Sequence, residues 1–247
     1  MNTRVVILAA GKGKRMGADV PKPLVPIAGK PMIEHLIESV MTSGVDAQPI
    51  VVVAPDGIDL FREVLGDRVA YALQVEQKGT GHAVRVAQEA AAGADTIVIL
   101  YGDHPFLSAE VIASLPALRK EHGVVLAMLT AQVPNFEGDY AIFKGWAKII
   151  RDAEGKFVAI REAKDTSEAE KEITEVNPGL YAIDAAWLWN HLPKIENKNA
   201  NGEYYLTDLI AMASTEGETI ATAPVEALEC VGVNTPEELK TAEKLAK

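Results

Sequence analysis

Short apolar runs alternate with longer amphipathic stretches through the first half of the chain, and the alternation has a regular order. Val5–Ala10, Ile50–Ala54, Val69–Leu73, Thr96–Tyr101 and Val124–Leu129 read as strands. Between them, segments near 31–43, 57–66, 80–93 and 108–121 carry apolar residues at helical spacing. Runs apolar on both sides of the pleat belong to strands covered on both faces, and strands separated by helix-length segments are joined by right-handed crossovers. The expected fold is α/β, a Rossmann-like, mixed, mostly parallel sheet with helices on both faces. Ligands of such a sheet gather at the carboxyl ends of its strands.

Beyond about residue 133 the rhythm changes to short strands and longer connections. Lys148–Arg151 and Phe157–Arg161 flank Asp152-Ala153-Glu154-Gly155-Lys156 as strand, turn and strand. An acid-rich helix near 166–172, a strand through Val176–Ile183 and helices near 184–192 and 204–215 follow. Thr235-Pro236-Glu237-Glu238 opens the last helix with a capping box and a proline at its first position. One domain over 1–247 is expected, with a part at about 1–133 and a smaller lobe at about 134–247.

Composition narrows the class. A chain of 247 residues with 48% hydrophobic and 24% charged residues can bury a substantial core. The single cysteine, Cys230, excludes an internal disulfide and cysteine-cluster metal sites, and reads as a small buried hydrophobe. No apolar run approaches a membrane span, and no charged leader with a long apolar segment opens the chain, so a cytoplasmic protein is expected. Net charge −11 and 6% aromatics argue against a nucleic-acid surface.

Against that acidic background, residues 1–30 carry Arg4, Lys12, Lys14, Arg15, Lys22 and Lys30 with Asp19 as their one acid, a local balance of +5. The cations surround Leu8-Ala9-Ala10-Gly11-Lys12-Gly13-Lys14-Arg15, a glycine-rich turn directly after the first strand. Glycines there let backbone N–H groups approach a phosphate, and the charge draws a polyanion to this end of the molecule. The spacing fits neither the dinucleotide fingerprint G-x-G-x-x-G nor the P-loop.

The pattern L-A-A-G-x-G-x-R-M, followed by Pro21-Lys22-Pro23-Leu24 and Gly29-Lys30-Pro31-Met32, resembles the signature of the sugar-1-phosphate nucleotidylyltransferases. The segment Gln74-Val75-Glu76-Gln77-Lys78-Gly79-Thr80-Gly81-His82-Ala83 is similar to the base-recognition segment of the N-acetylglucosamine-1-phosphate uridylyltransferases. Three later segments resemble that branch in order: Arg161–Asp165, Glu175–Leu180 and Asn199–Asp208. The resemblance covers essentially the whole chain and points to the uridylyltransferase half of the bifunctional enzymes.

It implies a set of roles. Leu8, Ala9, Ala10, Gly11 and Gly13 would cradle the nucleotide, together with Tyr101 and Gly102 at the end of a later strand. Arg15 and Lys22 would neutralise phosphates, while Lys12 and Lys14 fit either that task or plain solvation. Gln74 and the Gly79-Thr80 turn would read the uracil edge, since an amide donates and accepts at once. Asp103, after Tyr101-Gly102, and Asn234, in Val231-Gly232-Val233-Asn234, would hold Mg²⁺, which takes two protein oxygens and fills its shell from water and phosphate. Alone, an Asp at a strand end is more often a helix or turn cap, and Asn234 would equally suit a residue preceding the cap of the last helix. Glu162, Asn177, Tyr205 and Thr207 would meet the sugar, and His82 reads as structural.

UTP and a sugar 1-phosphate, foremost N-acetylglucosamine 1-phosphate, are the implied substrates, with no nucleic acid, no membrane and a homo-oligomer left open. A different sugar phosphate, dTTP in place of UTP, or a catalytically silent regulatory subunit are the alternatives. The family's G-Y-G-R-I turn stands here as Gly145-Trp146-Ala147-Lys148-Ile149, and Pro178 replaces its threonine. No hexapeptide repeats follow Lys247, so the acetyl-transferring half is expected to be absent.

Overall fold

The computed structural model describes residues 2–11, 13, 16, 17, 19–199 and 201–246. Its centre is a ten-stranded sheet. Strands β1 (Thr3–Leu8), β4 (Ile50–Val53), β5 (Ala70–Leu73) and β6 (Thr96–Tyr101) pair in parallel in the order β5-β4-β1-β6. The helices between them are α1 (Met32–Ser43), α2 (Ile58–Leu65) and α3 (Thr80–Val86). A small hairpin of β2 (Pro26–Ile27) and β3 (Lys30–Pro31) precedes α1 and was not foreseen from the sequence.

After α4 (Ala109–His122), the sheet continues through β7 (Leu126–Gln132), β8 (Lys148–Arg151), β9 (Phe157–Arg161), β10 (Glu175–Val176) and β11 (Tyr181–Asp184). Strand β11 lies antiparallel between β6 and β7, so β6 and β7 do not touch as neighbours. The short helix α5 (Glu168–Lys171) lies between β9 and β10, and α6 (Ala185–His191) and α7 (Asp208–Thr215) follow β11, with β12 (Ile220–Val225) parallel to the other edge of β7 and α8 (Pro236–Leu245) last.

The expectation of helices on both faces is met by a strict alternation along the strands. Val5, Ile7, Val51, Val53, Val98 and Leu100 pack on one face with Leu36, Ile37 and Val40 of α1, Phe61 of α2 and Ile112 of α4. Val6, Ile50, Val52, Ile97 and Ile99 pack on the other with Val84 of α3, Leu188 of α6 and Leu209 of α7. A period of two with both classes apolar is what a doubly covered strand requires.

Three boundaries differ from expectation for local reasons. The strand through Val176–Ile183 is broken at 177–180: Pro178 has no N–H for the ladder, and Gly179 adopts φ +78°, with its N–H bound to the Asn177 side chain at 3.0 Å. The helix near 80–93 ends at Val86, after which i to i+3 turns take over, as between Gln88 and Arg85. The helix near 204–215 begins only at Asp208. Strand β12 escaped notice because Ala-Thr-Ala-Pro lacks a strong β pattern, and its Pro224 is tolerable on a single-partnered strand. The capping box at Thr235 and Glu238 forms as read.

The two halves are stitched at the head of α3. Gly81 N–H donates to Tyr204 O at 2.8 Å, Tyr204 N–H to Lys78 O at 2.8 Å, and Leu206 N–H to Thr80 Oγ1 at 3.0 Å. Gly79 sits there at φ +101°, and a Cβ would stand 2.6 Å from Tyr204 O. Gly79→Ala combines a left-handed strain with a backbone clash, so a loss of about 1–3 kcal/mol or more is expected in urea unfolding. A change inside about 0.5 kcal/mol would contradict this packing.

Candidate functional site

Strands β1, β5 and β6 run in parallel and end at the same edge of the sheet, with β4 between β5 and β1, and the residues just past their carboxyl ends line a cavity of about 460 Å³. Leu8, Ala9, Ala10 and Gly11 come from the first end, Gln74 from the second, Tyr101 and Asp103 from the third; Lys22, Pro23, Gln77, Gly79, Thr80, Ala83 and Glu203 complete it. A second cavity of about 270 Å³ is lined by Tyr101, Asp103, His104, Trp146, Ala147, Glu162, Asn177, Pro178, Gly179, Tyr181, Thr207 and Asn234. Tyr101 and Asp103 belong to both walls. The two chambers therefore meet at the end of β6.

At that junction the Lys22 ammonium donates to Asp103 Oδ2 and, at 2.8 Å, to Asn234 Oδ1. The three residues are far apart in sequence, and the fold brings each in by a different device. Lys22 opens a 3₁₀ turn at 22–24. Asp103 follows Gly102, whose N–H donates to Leu8 O at 3.0 Å. The Asn234 backbone is pinned by Val233 N–H to Asp103 O at 3.1 Å and by its own N–H to Glu238 Oε2 at 2.5 Å. The cap of α8 thus occupies the backbone of Asn234 and leaves its side chain to face Lys22.

Electrostatics follow from this arrangement. Burial pushes the Asp103 carboxyl up, but the Lys22 ammonium outweighs it and holds the group below its usual range, so it is ionised at neutral pH. Burial pushes His104 down against the opposing pull of Asp103, which keeps the ring neutral. Glu162 is pushed up by burial, with Lys164 and a long 3.5 Å contact from Thr207 Oγ1 opposing. A carboxylate and an amide oxygen within reach of one cation form a hard-oxygen donor pair, and such a pair suits Mg²⁺. The arrangement fits the metal implied by the resemblance.

The other residues singled out from sequence differ in where the fold puts them. Gln74 is buried, with Nε2 at 3.1 Å from Gly79 O and 3.2 Å from His82 Nδ1, so its amide orientation is fixed by the turn it borders. His82 serves that orientation, as a structural histidine would. Gly13 lies against the Lys22 side chain, and Gly102 against Ala9 and Pro23. Asn177 lines the second cavity, but its amide is engaged within the wall: Nδ2 donates to Tyr181 Oη at 2.7 Å and Oδ1 accepts from Gly179. Tyr205 departs from expectation and lines neither cavity; its hydroxyl accepts from Asn201 Nδ2 at 2.6 Å, because the chain turns outward there before Leu206 enters the core. Arg15, Lys12 and Lys14 lie outside the described residues.

Two residues were missed. Gln77 donates from Nε2 to Ala10 O at 2.7 Å and keeps a buried Oε1 with no partner among the described residues, tying the 74–83 segment to the glycine-rich turn. Its spacing from Gln74 in Q-x-x-Q was the available signal. His104 stacks on Trp146 at 6.1 Å between ring centres and 8° between planes, forming part of the second cavity. Nothing in the sequence linked those two positions.

Because the half-buried Glu162 carboxyl holds its proton more tightly in the folded chain, that proton favours folding below the ordinary value near 4.5, and the advantage is lost as pH rises through the folded value. Glu162→Gln is expected to gain stability relative to the parent at pH 7 and to lose that gain at pH 4, read by urea unfolding at both. A difference independent of pH would contradict a raised carboxyl.

Comparison with known proteins places this geometry. "Bifunctional protein GlmU" of Brevibacillus brevis is 38% identical over 244 residues, covering 98% of this chain and 51% of the relative. Its namesakes in Alcanivorax borkumensis and Halalkalibacterium halodurans are 40% and 41% identical, covering 99% and 100% of this chain and 52% of each relative. The chain spans about half the length of these curated relatives. A solved protein of Bacillus anthracis, provisionally described as a glucose-1-phosphate thymidylyltransferase and crystallised with sucrose, superposes with a TM-score of 0.78 at 18% identity, covering 99% of this chain and 95% of its own. That likeness shows the shared fold, the mixed, mostly parallel sheet described above. Residues 5–172 match the family model of the MobA-like NTP transferase domain, and the chain belongs to that family.

Proposed function

We propose that the chain catalyses uridylyl transfer from UTP to a sugar 1-phosphate, foremost N-acetylglucosamine 1-phosphate, yielding a UDP-sugar and pyrophosphate. The observation that carries this reading is the pair of chambers joined at Asp103, with Lys22 and Asn234 at the same point. The nucleotide fits the chamber walled by the glycine-rich turn and Gln74, and the sugar fits the chamber walled by Glu162 and Thr207. The relatives at 38–41% identity support the substrate pair.

In this reaction a phosphate oxygen of the sugar phosphate bonds to the α-phosphorus as the bond to the bridging oxygen of the β-phosphate breaks, and pyrophosphate carries that electron pair away. A phosphate monoester is already largely ionised at neutral pH, so no general base is required and the site's work is positioning and charge neutralisation. Asp103 and Asn234 would hold Mg²⁺, which supplies Lewis-acid stabilisation of phosphate charge. Lys22 neutralises phosphate from the nucleotide side, and Arg15 joins it in this reading. Gln74, Gly79 and Thr80 read the base, while Glu162, Thr207 and the remaining hydrogen-bonding capacity of Asn177 orient sugar hydroxyls and the acetamido group.

Pyrophosphate release over a matrix of nucleoside triphosphates and sugar 1-phosphates with Mg²⁺ tests the proposal. UTP with N-acetylglucosamine 1-phosphate is expected to lead, because a site built for an acetamido group leaves its own polar groups unpaired when the group is missing. Glucose 1-phosphate with dTTP leading would move the chain to another branch, and no pyrophosphate from any pair would make it a silent binding subunit. Lys22→Ala is expected to lower turnover by about 10²-fold or more. Gln74→Ala is expected to reduce the preference for UTP over CTP more than it slows the best reaction.

A further inference from the structure

Behind the second chamber lies a separate cavity of about 760 Å³, between the 134–148 segment and the 163–174 segment. It shares no lining residue with the two chambers of the cleft. Its wall nevertheless continues that of the second chamber: Ala147 lines that chamber and Lys148 the rear cavity, and Glu162 and Ala163 divide in the same way.

Lys148 sets the chemistry of this space. It is 2% exposed, and its Nζ has no hydrogen-bond partner among the described residues. The ammonium stands 3.8 Å from the centre of the Phe136 ring, which also lines the cavity. A face of a phenyl ring attracts a cation but offers no lone pair, so the hydrogen-bonding demand of the ammonium is unmet. Burial lowers its proton affinity and Glu172 acts in the opposite direction without forming an ion pair among the described residues. Lys171, at the same cavity, is by contrast paired with Glu168 at 2.5 Å. A buried unpaired charge is costly, and chains keep one where something else supplies the counter-charge.

We propose that this cavity binds a compact phosphate monoester of a small polyhydroxyl compound, with Lys148 as the inner anchor of the phosphate. Lys144 at the mouth adds positive charge. Glu137, Glu172, Asn135 and Thr174 supply acceptors for the hydroxyls of the rest of the ligand. The two carboxylates also disfavour di- and triphosphates, whose larger charge would have to pass them. This site stands independently of the reading of the cleft.

Isothermal titration with inorganic phosphate, in the absence of divalent metal, tests it. The Lys22→Ala variant weakens the cleft by removing one of its phosphate-facing cations and is expected to retain the phosphate site of the rear cavity. Adding Lys148→Met is expected to weaken that site by at least about tenfold, the loss typical of a charge-assisted hydrogen bond. It is expected to melt at or above its parent, because the orphaned charge is gone. Adding Lys148→Arg instead keeps the charge and is expected to keep binding. Glucose 6-phosphate should bind more tightly than phosphate in the Lys22→Ala chain. Absence of any phosphate site in Lys22→Ala, or undiminished binding after Lys148→Met, would overturn the proposal.

Discussion

A lysine ammonium held between a carboxylate and an amide oxygen is the constraint around which the rest is organised. Lys22, Asp103 and Asn234 come from an early turn, the end of β6 and the loop before α8. Their meeting point is where the two chambers touch. A buried carboxylate without Lys22 would take up a proton or pay for desolvation; with Lys22 beside it, it stays ionised at neutral pH. The charge that could take part in phosphate chemistry is thus fixed by packing before any substrate arrives.

The sheet explains why that point exists. Parallel strands β1 and β6 end level with each other, with Leu8 opposite Tyr101 in register, so the loops after both project to the same edge. Strand β11 inserted antiparallel beside β6 then brings the broken segment 177–180 to the same edge from the other direction. Gly179 packs so closely that a Cβ would stand 2.6 Å from the Tyr101 ring. One aromatic ring consequently walls both chambers. The locking of Gly79–Gly81 onto Tyr204 fixes the opposite wall, so the cleft is closed by contacts between halves distant in sequence.

What could be read from the chain followed the reach of each signal. Alternation of buried residues along β1, β4 and β6 announced a doubly covered sheet because both faces are apolar. Thr235 and Glu238 announced the last helix because capping is local. The placement of β11 between β6 and β7 was not legible, since strand order depends on long-range packing. The break at Asn177-Pro178-Gly179 carried turn chemistry in plain view but was read through as strand because its flanks are apolar. Glu162 and Thr207 were placed by motif and do share a wall, whereas Tyr205, in the same motif as Thr207, turns away to Asn201. His104 and Trp146 lie in different segments and meet only in three dimensions.

Asp103 and Asn234 are proposed to act as one oxygen pair toward a divalent cation, with Lys22 balancing the charge of Asp103. The most direct measurement of this pairing is Mn²⁺ binding by electron paramagnetic resonance in the presence of UTP, for the parent, Asp103→Ala, Asn234→Ala and the double variant. Each single variant is expected to weaken Mn²⁺ at least about tenfold, and the double variant to be less than additive, as for ligands of one ion. Unchanged Mn²⁺ affinity in both single variants would contradict the pairing.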